Sequence, residues 1–219
     1  MSLFVDITKR LGDFVLDVSF SADDPSETLA ILGASGCGKS MALKCIAGIV
    51  RPDKGRIVLN DRVLFDSEAR VDVPVQDRRV GYLFQNYALF PTMTVLDNVM
   101  AGVRGGSRNE RRERALEQIR AFRLEGLEGL RPAELSGGQQ QRCALARIMA
   151  NDPELLLLDE PFSALDGYLR WQLELELTDT LRAFPGGVVF VTHSRDEVYR
   201  MSQRVCVLDH GKSGRTVPT

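Results

Sequence analysis

The stretch Gly33–Ser40 combines residue types and a spacing that bind phosphate: it reads GASGCGKS and fits the pattern G-x-x-x-x-G-K-[ST]. Glycines let the backbone curl so that several N–H groups point inward, and a helix after the loop adds its positive end. Lys39 can reach the terminal phosphates of a nucleotide, and the Ser40 hydroxyl can coordinate Mg²⁺. A chance glycine-rich turn is the alternative, but an apolar run precedes the stretch and a helix-like stretch follows it, which favours a phosphate site. The predicted contacts are Gly33, Ser35, Gly36, Cys37, Gly38, Lys39, Ser40 and Met41.

Two carboxylates, Asp159 and Glu160, follow four consecutive leucines, a run typical of a strand buried on both faces. Ligands of parallel sheets bind at the carboxyl ends of the strands, so we expect this pair to face the same phosphates. Asp159 would hold Mg²⁺, directly or through water, and Glu160 would polarise an attacking water as a general base. Alternatively, the pair caps a helix that begins near Pro161, because anions are stabilised at helix N-termini. The two roles are compatible, and the upstream loop favours catalysis.

The sequence LSGGQ at Leu135–Gln139, followed by Gln140-Gln141-Arg142, resembles the signature of the ATP-binding-cassette (ABC) family. Other features match that family in order and spacing: Gln85, Ser163-Ala164-Leu165-Asp166 and His193. The resemblance covers nearly the whole chain, from Asp6 to Lys212. It implies a single ATPase domain with ATP and Mg²⁺ as ligands.

The resemblance also implies a site shared between two copies of the chain. Two cassettes would pack head to tail as a homodimer, so that each ATP contacts Lys39 of one copy and Ser136 of the other. In the signature, the serine hydroxyl and the glycines would bind phosphate at a helix N-terminus, as in the first loop. The predicted nucleotide contacts are Ser136, Gly137, Gly138 and Gln139, together with Asp166, which would line the subunit contact.

Catalytic and metal-binding roles follow from the same resemblance. The implied catalytic residues are Glu160, His193 and Gln85, and the implied metal-binding residues are Ser40, Gln85 and Asp159. An isolated histidine is more often structural, but within this set of motifs we expect His193 to help position water.

The chain departs from the usual family pattern in two places. Members often stack an aromatic residue on adenine, and Leu11 occupies that position here. Phe14 could substitute, although it equally suits a buried strand face. Cys37 lies inside the phosphate loop, where a helix N-terminus can make a thiol reactive; a tolerated small residue is the simpler interpretation.

Short apolar runs alternate with helix-like stretches, which predicts an α/β fold: a P-loop NTPase with a mostly parallel core sheet and N-terminal antiparallel strands. A helical insertion over about 86–150 would interrupt a core formed by about 1–85 and 151–219. The predicted strands are Phe4–Thr8, Phe14–Phe20, Thr28–Leu32, Arg56–Leu59, Val80–Phe84, Leu155–Leu158, Val188–Thr192 and Val205–Leu208. Helix is predicted over Lys39–Gly48 and through most of Asn98–Ala150.

The composition narrows the classes of partner. The chain has 219 residues, 44% of them hydrophobic, and a net charge of −2, which fits a globular protein and gives no sign of a nucleic-acid partner. The tract Arg104–Arg114 interleaves arginine with glutamate, as expected of a solvated helix face. No apolar stretch reaches the roughly 18 residues of a membrane span. Four scattered cysteines and a start without a signal-peptide core favour a reducing, cytosolic compartment.

Within the family, the chain resembles a separate importer subunit at the cytoplasmic face of a membrane. The segment Gln85–Val99 is similar to the surface on which transmembrane permease subunits dock, and Leu89, Phe90 and Met93 would line that groove. The segment VGYLFQNYALFP is similar to the molybdate and sulfate branch, so molybdate or a related oxyanion is the predicted cargo. Iron, polyamine or sugar importers, and a non-transport ATPase acting on a soluble complex, are the alternatives. A C-terminal regulatory domain, common in this branch, is either lacking or outside the given sequence.

Overall fold

The structure, a computed structural model, describes residues 2–22, 24, 27–162 and 167–219. Its strands are β1 Leu3–Leu11, β2 Phe14–Ala22, β3 Thr28–Leu32, β4 Lys54–Leu59, β5 Arg62–Asp66, β6 Val71–Asp72, β7 Val80–Leu83, β8 Leu155–Asp159, β9 Gly187–Thr192, β10 Arg204–Asp209, β11 Lys212–Ser213 and β12 Val217–Pro218. Its α-helices are α1 Lys39–Ala47, α2 Val95–Gly102, α3 Arg108–Ala121, α4 Gly137–Met149, α5 Gly167–Ala183 and α6 Arg195–Met201.

The chain divides into two compact units. The sheet unit comprises Met1–Tyr82, Glu154–Pro161 and Thr178–Thr219, and the helical unit comprises Leu83–Pro153 and Phe162–Leu177. Among the described helices, none has the length and apolar character needed to cross a bilayer.

The strands of the described chain form one mixed sheet, in the order β6-β5-β4-β1-β2-β11-β10-β3-β9-β8-β7, with β12 beside β10. Neighbours in the series β10-β3-β9-β8 run parallel. The first strands, β1, β2, β4, β5 and β6, pair antiparallel with one another. The predicted α/β fold with a mostly parallel core and antiparallel N-terminal strands is therefore confirmed.

The register of the parallel strands brings three chain segments to one edge of the sheet. Asp159 at the end of β8 pairs with Val191, and Leu32 at the end of β3 pairs with Thr192. Every residue of β8 and β9 is buried, as expected of strands covered on both faces. The glycine-rich loop, the acidic pair and His193 thus follow strands that end at the same edge.

Several elements differ from the sequence-based expectation. The strands β5 and β6 are not predicted, because they are short and interrupted by polar residues. The helical character of Asn98–Ala150 resolves into three helices, with Gly105 and Gly106 at positive φ between α2 and α3. The first helix ends at Ala47, where Gly48 takes the left-handed conformation of a C-cap.

In the helical unit, two polar side chains fix the segment that follows β7. The buried Asn98 amide donates to the carbonyls of Phe90, Met93 and Thr94, at 3.2, 3.2 and 3.0 Å, and accepts from the Phe90 amide at 2.9 Å. The Arg147 guanidinium donates to two carbonyls at 87 and 88 and lies 5.3 Å from the centroid of the Phe90 ring. A segment without regular structure is thereby held in one conformation.

In the sheet unit, a buried arginine completes the C-terminal end of α1. Arg78 has 0% exposure and donates to the Cys45 and Ile46 carbonyls at 3.0 and 2.8 Å. It also donates to the Val73 carbonyl at 2.8 Å and to Asp72 Oδ1 at 2.9 Å. Burial lowers the pKa of this guanidinium, and Asp72 opposes that shift. One side chain therefore satisfies the last carbonyls of the helix whose N-terminus follows the phosphate loop.

We expect Arg78→Ala to lower the free energy of unfolding by about 3 kcal/mol, because the Cys45, Ile46 and Val73 carbonyls and the Asp72 carboxylate each lose a donor, the first two of them in buried contacts. Arg51→Ala is the matched control: Arg51 lies 3.4 Å from the same Asp72, but its side chain is well exposed. The control should cost roughly 0.5 kcal/mol. Urea denaturation followed by circular dichroism measures both, and equal losses would contradict the structural role of Arg78.

Candidate nucleotide- and metal-binding site

The loop between β3 and α1 has the conformation that its glycines permit. Gly36 and Gly38 have φ values of +80° and +107°, in the region that residues with a β-carbon rarely adopt. Gly38 is the N-cap of α1 and contributes no side-chain cap, so the first N–H groups of the helix are not satisfied by a capping side chain. Such a helix start is suited to an anion, as the sequence motif predicts.

Lys39 is a buried cation whose ammonium lies against the loop itself. The side chain is 3% exposed, and its Nζ donates to the carbonyls of Gly33 and Ala34 at 2.8 and 2.9 Å. The same Nζ lies 3.6 Å from Glu160 Oε1. Two neutral acceptors and a carboxylate therefore surround the charge, and phosphate oxygens can replace the carbonyls as its partners.

Ser40 and Asp159 are in direct contact. The Ser40 hydroxyl donates to Asp159 Oδ1 at 2.6 Å, and the phenol of Tyr82 donates to Asp159 Oδ2 at 2.8 Å. Burial and the neighbouring carboxylate both raise the pKa of Tyr82, so its phenol stays protonated and acts as the donor. A hydroxyl and a carboxylate are hard oxygen ligands that suit Mg²⁺.

A magnesium ion at this pair would need further ligands from phosphate or water. The described residues contain no group of three or more histidine, cysteine or acidic side chains that could hold a metal. Mg²⁺ usually keeps several waters and binds one or two protein oxygens plus substrate phosphates, so the residues present fit the ion.

Glu160 lies between Lys39 and His193. Its Oε2 is 3.6 Å from His193 Nδ1, and its Oε1 faces the lysine ammonium at the same distance. The residue has a φ of 45°, in the left-handed region, while its backbone N–H donates to the Val191 carbonyl at 3.2 Å. A carboxylate in this position can accept a proton from water, with a cation on one side and an imidazole on the other.

His193 is held between β9 and α6. The backbone N–H of Ser194 donates to Thr192 Oγ1 at 3.0 Å, and the Ser194 side chain caps α6 by accepting from Glu197 N. The histidine side chain itself is half exposed. It is therefore accessible to a ligand, whereas the backbone on either side of it is fixed.

The alternative role for the acidic pair, as the cap of a helix near Pro161, stays a prediction. Pro161 and Phe162 lie in a turn, the described part of α5 starts at Gly167, and residues 163–166 between them lie outside the described residues.

The signature stretch lies in the helical unit. Ser136 is the N-cap of α4: its Oγ accepts from the Gln139 N–H at 3.3 Å, and Gln139 Oε1 accepts from the Ser136 N–H at 2.8 Å. Gly137 and Gly138 form the first turn, where backbone N–H groups have no intrahelical acceptor. Gln85 belongs to the same unit, in an exposed turn after β7.

The predicted residues are thus distributed over both units. The sheet unit brings together Lys39, Ser40, Asp159, Glu160 and His193, and the remaining loop residues Gly33, Ser35, Gly36, Cys37, Gly38 and Met41 belong to it as well. Asp166 lies outside the described residues. The sequence analysis did not single out Tyr82 as part of the site. A tyrosine inside an otherwise buried strand indicates a polar contact, because a buried phenol usually finds a hydrogen-bond partner.

A cavity of about 510 Å³ adjoins the phosphate loop in the sheet unit; Phe14, residues 34–37 and His210 are among its lining. A β-carbon added to Gly38 would lie 3.1 Å from Phe14 Cζ, so the phenylalanine ring packs closely against the loop. Leu11, at the family's aromatic position, is exposed and does not line the cavity. The stacking role of Phe14 stays a prediction.

The chain belongs to the ABC transporter family, whose sequence profile matches residues 15–163. The ATP-binding cassette MJ0796, solved as a dimer in a post-hydrolysis state with ADP and Pi, superposes with a TM-score of 0.79 at 31% identity. That comparison covers 100% of this chain and 98% of the solved one.

Curated relatives are import proteins with different cargoes. The chain is 44% identical to an Fe(3+) ions import ATP-binding protein of Haemophilus influenzae, over 90% of this chain and 56% of the relative. It is 48% identical to a spermidine/putrescine import ATP-binding protein of Methylococcus capsulatus, over 92% and 50%. It is 38% identical to a molybdenum import ATP-binding protein of Paramagnetospirillum magneticum, over 99% and 59%. The chain thus spans about half the length of the relatives it matches.

We expect Lys39→Ala to weaken ATP binding by about 100-fold, because the variant lacks the ammonium that would make charge-assisted hydrogen bonds to the phosphate oxygens. Lys44→Ala, in the last turn of the same helix, is the control and should bind ATP with nearly normal affinity. Titration with a fluorescent ATP analogue measures both dissociation constants. Normal affinity in Lys39→Ala would refute the assignment of the phosphate loop.

Proposed function

We propose that this chain binds and hydrolyses ATP with Mg²⁺ and powers a membrane importer as one of two identical subunits. The observation that carries the proposal is the group of contacts at one edge of the sheet: Lys39 to Glu160, Glu160 to His193 and Ser40 to Asp159. A cation for phosphate, two oxygen ligands for a divalent ion and a carboxylate beside an imidazole are the groups that phosphoryl transfer to water requires.

Each residue has a distinct task in this proposal. Lys39 exchanges its carbonyl partners for the terminal phosphate oxygens of ATP and neutralises their charge. Ser40 and Asp159 would hold Mg²⁺, which stabilises negative charge on the phosphates when bound. Glu160 takes the proton of the attacking water, and His193 orients the reacting groups from the other side of Glu160.

The second phosphate contact comes from another copy of the chain. The first turn of α4 presents N–H groups beside the exposed Ser136, so this helix N-terminus is suited to bind phosphate. In the head-to-tail dimer, Ser136, Gly137, Gly138 and Gln139 serve the neighbour's nucleotide, Asp166 lines the contact and Gln85 contacts the metal or the water. The dimeric MJ0796 cassette supports this arrangement.

The segment Gln85–Val99 is the proposed docking surface for the membrane partner. Phe90 and Met93 are exposed although the backbone around them is held by Asn98 and Arg147. A rigid backbone that presents apolar side chains loses little entropy when a helix binds to it. Such docking would place the chain at the cytoplasmic face of the membrane, and co-purification with a membrane-embedded protein tests it; recovery with soluble proteins alone would favour the non-transport alternative.

Molybdate or a related oxyanion remains the proposed cargo, and the molybdenum relative, which aligns with 99% of this chain, supports it. The iron and polyamine relatives are more similar in sequence, so Fe³⁺ and spermidine are the alternatives. Motif residues contact nucleotide or permease and never the cargo, which makes cargo identity a property of the partners. ATPase activity of the assembled transporter with each of the three cargoes would distinguish them.

Glu160→Gln should bind ATP normally but lower turnover by roughly 10²- to 10⁴-fold, because the amide keeps the size of the side chain and removes the base. The arrested protein should also accumulate as a dimer in size-exclusion chromatography with ATP.

His193→Ala should lower turnover with little change in ATP affinity. If His193→Ala instead lowers only the melting temperature, the histidine is structural, and near-normal turnover in Glu160→Gln would exclude Glu160 as the base.

A mixing experiment tests whether Ser136 serves the neighbouring copy. Lys39→Ala and Ser136→Arg chains should each be inactive, whereas mixing them should restore up to roughly a quarter of the wild-type ATPase rate. About half of the dimers are then mixed, and each has one intact site. The control mixes wild type with a chain that carries both substitutions.

The two mixtures together distinguish the geometries. If Ser136 acts on the neighbour's ATP, the control also retains about a quarter of the activity, all from wild-type dimers. If it acts within its own chain, the first mixture stays inactive and the control retains about half, which would contradict the shared site.

A further inference from the structure

Tyr82 is buried in β7, the strand next to β8, and its hydroxyl reaches the metal-binding carboxylate proposed above. The phenol donates to Asp159 Oδ2 at 2.8 Å, and Tyr82 is 9% exposed. The two residues are 77 positions apart in the sequence and belong to the same unit. The contact therefore connects two strands at the edge where the ligand is expected.

The two oxygens of Asp159 have different partners. Oδ1 accepts from Ser40, the other proposed metal ligand, at 2.6 Å, and Oδ2 accepts from Tyr82. Rotation of a carboxylate about its terminal bond is a soft, broad torsion, so burial alone does not select one orientation. The Tyr82 hydrogen bond holds Oδ2 on the side away from Ser40 and keeps Oδ1 directed towards it.

Because Asp159 is buried, the hydrogen bond that it accepts from Tyr82 is difficult to replace. Asp159 is 6% exposed, so water has little access to replace a lost donor at Oδ2. Another buried phenol differs: among the residues that the structure describes, the Tyr87 hydroxyl has no hydrogen-bond partner. Burial by itself therefore does not pair a tyrosine with a carboxylate in this protein.

We propose that Tyr82 is a positioning residue for Mg²⁺: it orients the Asp159 carboxylate so that Oδ1 and the Ser40 hydroxyl can act on the ion together. This inference rests on the proposed function, because it concerns the metal bound with ATP. Loss of an outer hydrogen bond to a metal ligand typically weakens metal affinity by 10- to 100-fold.

The test is Tyr82→Phe, which removes the hydroxyl and keeps the ring. A fluorescent ATP analogue is bound to the protein in EDTA, and Mg²⁺ is then titrated. We expect unchanged nucleotide affinity in EDTA and an approximately tenfold rise in the Mg²⁺ concentration at half-effect. Tyr199→Phe, at an exposed tyrosine of α6, is the control and should match wild type. An unchanged Mg²⁺ midpoint in Tyr82→Phe would overturn the proposal.

A double-mutant cycle separates positioning from general stability. If Tyr82 acts through the carboxylate, adding Tyr82→Phe to an Asp159→Ala chain should cause no further rise in the Mg²⁺ midpoint. An equal rise in both backgrounds would contradict action through Asp159. Tyr82→Met, which fills the space without a hydroxyl, should reproduce the result and replaces Tyr82→Phe if that variant does not fold.

The wild-type chain supplies the remaining distinction. If it binds no nucleotide either in EDTA or with Mg²⁺, the proposed function fails. If it binds nucleotide and responds to Mg²⁺ with the same midpoint in Tyr82→Phe, only the role of Tyr82 fails.

Discussion

The Asp159 carboxylate is the group on which the arrangement of the site depends. It is buried at the end of β8, and its oxygens accept hydrogen bonds from Ser40 on α1 and Tyr82 on β7. A buried carboxylate must be satisfied by donors, so its burial requires these elements to meet with their side chains correctly placed. The adjoining Glu160 and Lys39 are then brought within 3.6 Å of each other.

Helix α1 has a buried cationic side chain at each of its two ends. Lys39 at its first position uses the carbonyls of its own loop, and Arg78 satisfies carbonyls of the last turn. Arg78 remains bound to protein, which suits a structural cation, whereas the carbonyl partners of Lys39 can be exchanged for those of a ligand. The difference between a stabilising and a functional cation thus lies in which partners a phosphate can replace.

Much of the fold was predictable because the relevant signals are local. The apolar run of β3, the glycine-rich loop and α1 follow one another within about twenty residues, and the four leucines of β8 require burial on both faces. Strands with polar residues, such as β5 and β6, have a weaker periodic pattern in the sequence. Whether these segments form strands therefore depends on their pairing in the sheet. The capping role near Pro161 stays a prediction, because residues 163–166 lie outside the described residues.

By itself the sequence determined the family, the positions of the glycines that permit positive φ, and the chemical groups available for phosphate and metal. Only the tertiary structure decided which of these groups meet. The bond from Tyr82 to Asp159, the capping of α1 by Arg78 and the contact between Glu160 and His193 join residues 77, 32–33 and 33 positions apart. Hydrogen bonds and ion pairs form only within about 3 to 4 Å, and no local pattern specifies contacts of that range across distant strands and helices.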